Sequence, residues 1–118
     1  MTASETPGLF EPGTVVVVPF PFADVAVSRP RPALVLSTCD HQATSGCVVL
    51  AMITTARDSA WPSDVPLSDV GSTGLRTPSV VRTKIFTLDR ALIDRPIGSL
   101  SDDDRKRVRQ SIIGVLGL

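Results

Sequence analysis

The chain has 118 residues, of which 42% are hydrophobic, 20% charged and 4% aromatic, a composition typical of one compact globular domain. Twelve basic and twelve acidic side chains give a formal net charge of zero, which excludes a global basic field for nucleic acid. Any site for a polyanion must therefore be local.

The first half of the chain predicts three strands, because short apolar and β-branched runs are separated by turn formers. These strands are predicted over residues 14–18, 32–37 and 47–53. The segment 20–31 contains two prolines and has no helical period, so we predict a loop long enough to carry function. Residues 40–46 are rich in turn formers and predict a hairpin between the second and third strands. Thr54 lies where the third strand ends.

The second half predicts two more strands and the clearest helix. The strands are predicted over 65–67, at a sheet edge, and 79–86, and residues 90–93 as a short turn of helix or strand. Strict alternation places Arg82 and Lys84 on one face of their strand. Ser101 is the predicted N-cap of the helix, aspartates occupy its first turn, and Gly117 is its predicted stop.

About five short strands followed by one C-terminal helix predict a mainly β fold of the α+β class, a small, strongly bent sheet or barrel. We expect residues 1–118 to form a single domain, with residues 1–10 disordered. The longest apolar stretch is far shorter than the roughly 20 residues of a membrane span. The polar N-terminus lacks the basic start and apolar stretch of a signal peptide, so we expect no membrane association and a cytoplasmic location.

Isolated candidates for chemistry have plainer explanations. In the cytoplasm the two cysteines, Cys39 and Cys47, are expected to be reduced, and with His41 they leave a four-ligand zinc set incomplete. A general-base role for His41 rests on residue type alone. The basic cluster within 105–109 follows three aspartates on one helix and favours a solvated face. Trp61 is expected to be a partly buried anchor rather than a platform for a base.

A sharper signal comes from an ordered set of segments. Arg31 lies where the long loop meets a buried strand, a position that suits an anion clamp because the backbone holds it. Val-Val-Val-Val-Pro-Phe-Pro-Phe at 15–22 and Arg-Pro-Arg-Pro-Ala-Leu-Val-Leu-Ser at 29–37 are followed by Met-Ile-Thr-Thr at 52–55. Ser-Val-Val-Arg at 79–82, Ile-Gly-Ser-Leu at 97–100 and the terminal helix complete the set. From about residue 13 to 118, this order resembles the PemK/MazF family of toxin endoribonucleases.

The resemblance implies an SH3-like barrel of the PemK/MazF/CcdB type that acts as a homodimer. It also implies the toxin of a type II toxin–antitoxin pair, which cleaves single-stranded RNA without a metal or other cofactor and is blocked by a small antitoxin. Arg31 matches the family's catalytic arginine and Thr54 its catalytic threonine or serine. We assign Arg31 to stabilising charge on the phosphorane, and Thr54 to hydrogen bonding the phosphate or the 2′-OH. The other expected RNA contacts are Phe22, Asp24, Arg29, Thr55, Ser79, Arg82 and Lys84.

One departure and two alternatives accompany this interpretation. Relatives often place an aspartate just after the position of Arg82, where this chain has Thr83 and Lys84. Lys84 is therefore expected to bind phosphate, and the general base is unassigned. The main alternative is a non-catalytic binding module of the same fold, such as a CcdB-like toxin that binds DNA gyrase. A purely structural SH3-like domain is the second.

Overall fold

A six-stranded antiparallel sheet forms the framework of the computed structural model, which describes residues 8–20 and 29–118. The strands are β1 (Thr14–Phe20), β2 (Arg29–Val35), β3 (Cys47–Thr55), β4 (Val65–Pro66), β5 (Ser79–Asp89) and β6 (Arg95–Ser99). The helices are α1 (Cys39–Ser45) and α2 (Asp102–Leu116), and 3-10 turns span Ala56–Asp58, Gly71–Thr73 and Arg90–Leu92. The order across the sheet is β4-β5-β3-β2-β1-β6, so the predicted mainly β fold with a C-terminal helix is confirmed.

Both faces of the central strands are buried, which explains why their sequences are continuous apolar runs. One core contains alternate residues of β1, β2 and β3 and packs under α2: Val15, Leu34, Ala51, Ile53, Val65, Leu67, Val81, Leu100 and Val108. The residues between them form a second core on the opposite face: Val16, Val18, Ala33, Val35, Val48, Leu50, Leu88 and Ile93. The sheet therefore has no solvated face at its centre, and polar chemistry is confined to its ends and edges.

Strand β5 is longer than its partner β3 requires. Ala51 pairs with Ile85 and Ile53 pairs with Val81, so residues 82–84 lie opposite Met52 alone. Such a bulge increases the local twist of a strand and redirects its side chains. Arg82 lies within this bulge.

Helix α2 begins and ends as its sequence predicts. The Oγ atom of Ser101 accepts a hydrogen bond from the backbone N–H of Asp104, at 3.2 Å, and Gly117 ends the helix with φ of 71°. Val108 packs into the core under the helix, whereas Val115 and Leu116 are exposed.

Asp104 has a role that its place in the first turn of α2 did not reveal. It is fully buried, and its carboxylate accepts hydrogen bonds from the backbone N–H groups of Ser68 and Asp69, the hydroxyl of Ser68 and the guanidinium of Arg107. Burial alone would raise the pKa of Asp104, but these bonds outweigh it and lower the pKa to about 2. Asp104 thus fixes the loop after β4 to the helix.

Two local predictions were wrong, and a third lies mostly outside the described residues. Residues 39–45 form helix α1 instead of a hairpin turn, capped by Thr38, whose Oγ1 accepts from the N–H of His41 at 3.1 Å. Residues 95–99, where no strand was predicted, form strand β6 beside β1. Residues 1–7, most of the segment predicted to be disordered, lie outside the described residues.

At the end of that predicted disordered segment, Phe10 is fixed to α1. The buried side chain of Gln42 accepts from the Phe10 N–H at 2.9 Å and donates to its carbonyl at 2.8 Å. Cys39 is the first residue of α1 and Cys47 the first of β3, and both are free thiols. No helix in the described ranges has the length and hydropathy needed to cross a bilayer.

Candidate active site at one end of the sheet

Arg31 and Thr54 lie at the same end of the sheet, where strands β2 and β3 part. The hydrogen-bonded pairing of β2 with β3 ends at Ala33 and Met52. The register, continued by two residues, places Arg31 opposite Thr54. Arg31 is held there by its pairing with Val18 of β1 and Thr54 by its pairing with Val80 of β5. Residues two apart share a face of a strand, so Arg31 and Thr54 lie on the face of the second core.

The surroundings of these two residues suit recognition of an anion. Arg31 is exposed and Thr54 is partly buried. Within residues 8–20 and 29–118, neither side chain takes part in a hydrogen bond or ion pair. A guanidinium held by a strand, beside a hydroxyl on the next strand, can donate hydrogen bonds to one phosphate from two sides.

Of the other side chains predicted to contact RNA at this end, some are exposed to solvent and others already make hydrogen bonds within the protein. Arg29 begins β2 and is exposed. The Thr55 hydroxyl donates to Asp58 Oδ2 at 2.8 Å, and the buried Ser79 hydroxyl donates to the carbonyl of Thr77 at 2.9 Å. Ser79 is therefore turned inward. Phe22 and Asp24, also predicted to contact RNA, lie outside the described residues.

Arg82 is bound by an acid, Asp64, that the sequence pattern did not indicate. Its Nε donates to Asp64 Oδ1 at 3.0 Å and its Nη2 to Asp64 Oδ2 at 2.9 Å, a bidentate pair whose side chains are only 12% and 2% exposed. Lys84, two residues further along β5, is exposed. The two cations that alternation placed on one face therefore differ: Arg82 is largely covered and Lys84 reaches solvent.

Asp64 also organises the segment between β3 and β4. Its Oδ2 atom accepts from the Ser59 hydroxyl at 2.9 Å and from the backbone N–H groups of Ala60 and Trp61, each at 3.2 Å. Hydrogen bonding by Arg82 is the main reason that the pKa of Asp64 falls to about 2. The same bond raises the pKa of Arg82 above its ordinary value. Both groups are therefore charged at neutral pH, and Asp64 is a poor proton acceptor.

The remaining candidates lie away from this end. His41 is exposed on α1, which connects β2 to β3 at the opposite end of the sheet. The basic cluster of α2 is exposed, as predicted for a solvated face. Within the described ranges, no group of three or more histidine, cysteine or acidic side chains is arranged to hold a metal ion.

Comparison with known proteins identifies the family of this chain. A family model described as "PemK-like, MazF-like toxin of type II toxin-antitoxin system" matches residues 11–116, nearly the whole chain. The chain belongs to this family. The search of curated proteins found no significant match.

Solved structures similar to this PemK-like toxin cover almost all of it. MazF from Deinococcus radiodurans (Form-I) is 25% identical, with a TM-score of 0.73 over 93% of this chain and 98% of that chain. A MazE–MazF structure from the same organism (Form-III) gives 0.75 at 24% identity over 93% and 98% of the two chains. An endoribonuclease in complex with its cognate antitoxin, from a mycobacterial species, gives 0.73 at 19% identity over 92% and 96%. The last two structures, which are less than 25% identical to this chain, show that it has the same fold.

These matches favour the PemK/MazF interpretation over the gyrase-binding alternative. In this PemK-like toxin the acid expected after Arg82 along β5 is replaced by Lys84, while Asp64 approaches Arg82 from the segment before β4. Sequence spacing could not reveal this pair, because the two residues are 18 positions apart and meet only through the pairing of β4 with β5.

Proposed function

We propose that this toxin is an endoribonuclease that cleaves single-stranded RNA by transesterification, with Arg31 and Thr54 at its centre. The observation that carries the proposal is their common register position at the end of the sheet where β2 and β3 part. The activity named for the mycobacterial structure of the same fold supports it.

The chemistry asks little of the protein beyond placing charge and hydrogen bonds. The ribose 2′-oxygen attacks the adjacent phosphorus and loses its proton, and the bond to the 5′-oxygen breaks as that oxygen takes up a proton. The products are a 2′,3′-cyclic phosphate and a 5′-OH end. Arg31 stabilises the extra negative charge of the phosphorane, and Thr54 hydrogen-bonds the phosphate or the attacking hydroxyl. Asp64 is not the base, because its low pKa and its bonds to Arg82 keep it a bound anion.

The proposal extends to binding. Arg29 and Lys84 are exposed at or near this end of the sheet and extend the phosphate site, whereas Thr55, Ser79 and Arg82 flank it with side chains held by their own hydrogen bonds. Phe22 and Asp24, which lie outside the described residues, are also proposed to contact RNA. We further propose that the toxin is a single domain acting as a cytoplasmic homodimer. A small antitoxin inhibits it, as cognate antitoxins accompany its structural relatives.

The test is cleavage of a long RNA in excess EDTA by the purified protein and its Arg31→Ala and Thr54→Ala variants, with the cut ends mapped. We expect cleavage by the native protein with 5′-OH ends, and a loss of at least about 100-fold in either variant, since removing one oxyanion donor costs that much. Arg31 is exposed, so the free energy of unfolding of Arg31→Ala should lie within about 0.5 kcal/mol of the native value.

Arg109→Ala is the matched control, because it removes the same charge from helix α2 on the other side of the sheet. Its cleavage rate should equal that of the native protein. Intact RNA from a folded native protein, or equal losses in Arg31→Ala and Arg109→Ala, would refute the assignment.

A further inference from the structure

Trp61 is the one tryptophan of the chain, and it is more open than its predicted role as an anchor requires. The residue is 41% exposed. The other exposed large apolar side chains of the described residues lie on the C-terminal part of the chain, at Ile113, Val115, Leu116 and Leu118, or at Leu92. Trp61 alone among them belongs to the segment that follows Thr54 and Thr55.

The indole is held in place from one side. The guanidinium carbon of Arg82 lies 5.0 Å from the ring centroid, which is a cation–π stack. Asp64 binds the Arg82 guanidinium and accepts from the backbone N–H of Trp61 at 3.2 Å, so it holds both the cation and the backbone that carries the ring. The ring therefore stacks on a guanidinium that is itself fixed, and the residue keeps 41% of its surface exposed.

Strand register relates the position of this ring to the proposed cleavage centre. Thr54 pairs with Val80, and Arg82 follows Val80 by two residues along β5, at the start of the bulge. Alternate residues of a strand are about 7 Å apart. The Cα atom of Arg82 is therefore about 7 Å along β5 from that of Val80, the residue that pairs with Thr54. The segment 56–64 contacts this part of β5, since Arg82 Nη2 also donates to the carbonyl of Asp58 at 3.2 Å.

We infer that Trp61 is a stacking platform for an unpaired base of the RNA, next to the phosphate held by Arg31 and Thr54. The inference rests on the proposed function and assigns it a base subsite. Stacking on an oriented aromatic side chain is the interaction by which single strands are held without base pairing, and it tolerates any base. Arg82 and Asp64 are then positioning residues, because they act on RNA through the orientation of Trp61.

Trp61 is itself the probe, since its fluorescence reports from this position alone. The native protein is titrated with a nine-nucleotide 2′-O-methyl RNA of random sequence, which cannot be cleaved because it has no free 2′-OH. A second titration uses an oligomer with the same backbone and number of phosphates but abasic sugars. We expect the RNA to quench Trp61 and the abasic oligomer to leave its emission nearly unchanged.

Variants provide an independent readout. With cleavable RNA, Trp61→Ala should raise KM about 10-fold with kcat within about twofold, because base stacking of this kind contributes a factor of that order. Trp61→Phe keeps a smaller ring and should recover most of the loss. Leu92→Ala removes an apolar side chain of similar exposure at the other end of the sheet and should leave KM unchanged.

The outcomes separate the two proposals. If the native protein cleaves RNA but RNA does not quench Trp61 and Trp61→Ala has a native KM, the stacking platform is refuted and the nuclease stands. If RNA quenches Trp61 but is never cleaved, the subsite is supported and the nuclease is refuted. If RNA neither binds nor is cut, both are refuted. Equal losses in Trp61→Ala and Trp61→Phe, with a lowered urea midpoint in both, would make Trp61 a structural anchor only.

Discussion

The ion pair between Asp64 and Arg82 should make a measurable contribution to stability, and Asp64→Asn tests it with little change of shape. Asp64 is 2% exposed in its side chain, and hydrogen bonding lowers its pKa from 3.8 to about 2. A tenfold change in proton affinity corresponds to about 1.4 kcal/mol, so the charged form stabilises the fold by about 2 kcal/mol at neutral pH. We expect Asp64→Asn to lower the free energy of unfolding by that amount.

The stabilisation by the Asp64 carboxylate should decrease as the pH falls. The pKa of Asp64 is lower in the folded chain than in the unfolded chain, so on acidification the unfolded chain takes up the proton first. The stabilisation is complete above about pH 4 and is lost as the pH falls through about 2. The asparagine does not titrate. The difference between the native protein and Asp64→Asn should therefore shrink from about 2 kcal/mol at pH 7 to about 1 kcal/mol at pH 2.5.

The assay is urea unfolding at pH 7, 4 and 2.5, followed by Trp61 fluorescence and by far-ultraviolet circular dichroism. Asp40→Asn is the control, because it removes the same charge from an exposed carboxylate on α1, at the other end of the sheet from Arg82, and should cost less than about 0.5 kcal/mol. A difference for Asp64→Asn that is below 0.5 kcal/mol, or constant from pH 7 to 2.5, would contradict the role given to the Asp64–Arg82 pair.

Two further predictions concern the packing and the thiols. Gly74 has φ of 77°, and a methyl group there would overlap the backbone carbonyl oxygen of Ile97 in β6, so Gly74→Ala should cost at least about 2 kcal/mol of unfolding free energy. Gly114→Ala meets nothing within 4 Å in helix α2 and should be neutral or gain up to about 1 kcal/mol, and equal urea midpoints for the two would refute the contact. Burial, with Glu11 and Asp40 nearby, raises the pKa of the Cys39 thiol. Iodoacetamide should therefore label Cys47, which is half-buried, before Cys39, and the two rates should become equal in urea.

The elements predicted correctly are those whose signals are local. The β-branched run of β1 and the apolar runs of β2, β3 and β5 each bury side chains on one or both faces, so their composition alone identifies them. Helix α2 was bounded correctly because its cap at Ser101 and its stop at Gly117 are single residues with specific backbone roles.

The elements that were missed depend on tertiary contacts. Helix α1 has seven residues and buries only Cys39 and Gln42, so it has no hydrophobic period, and its turn formers are those of a loop. Strand β6 contains a proline and a glycine, and its pairing with β1 makes it a strand. For the same reason, Arg82 was read as a presented cation: its partner Asp64 comes from another part of the sheet.

The bulge of β5 constrains how the length of this strand can vary. Residues 82–84 face a single residue of β3, a surplus of two, and an even surplus keeps Val81 and Ile85 on the same side of the sheet. Inserting or deleting one residue here would exchange the inward and outward positions of everything beyond it, whereas a change of two would preserve them. Related chains that differ in length at this point are therefore expected to differ in steps of two, and the segment that carries Arg82 can be remodelled without redesigning either core.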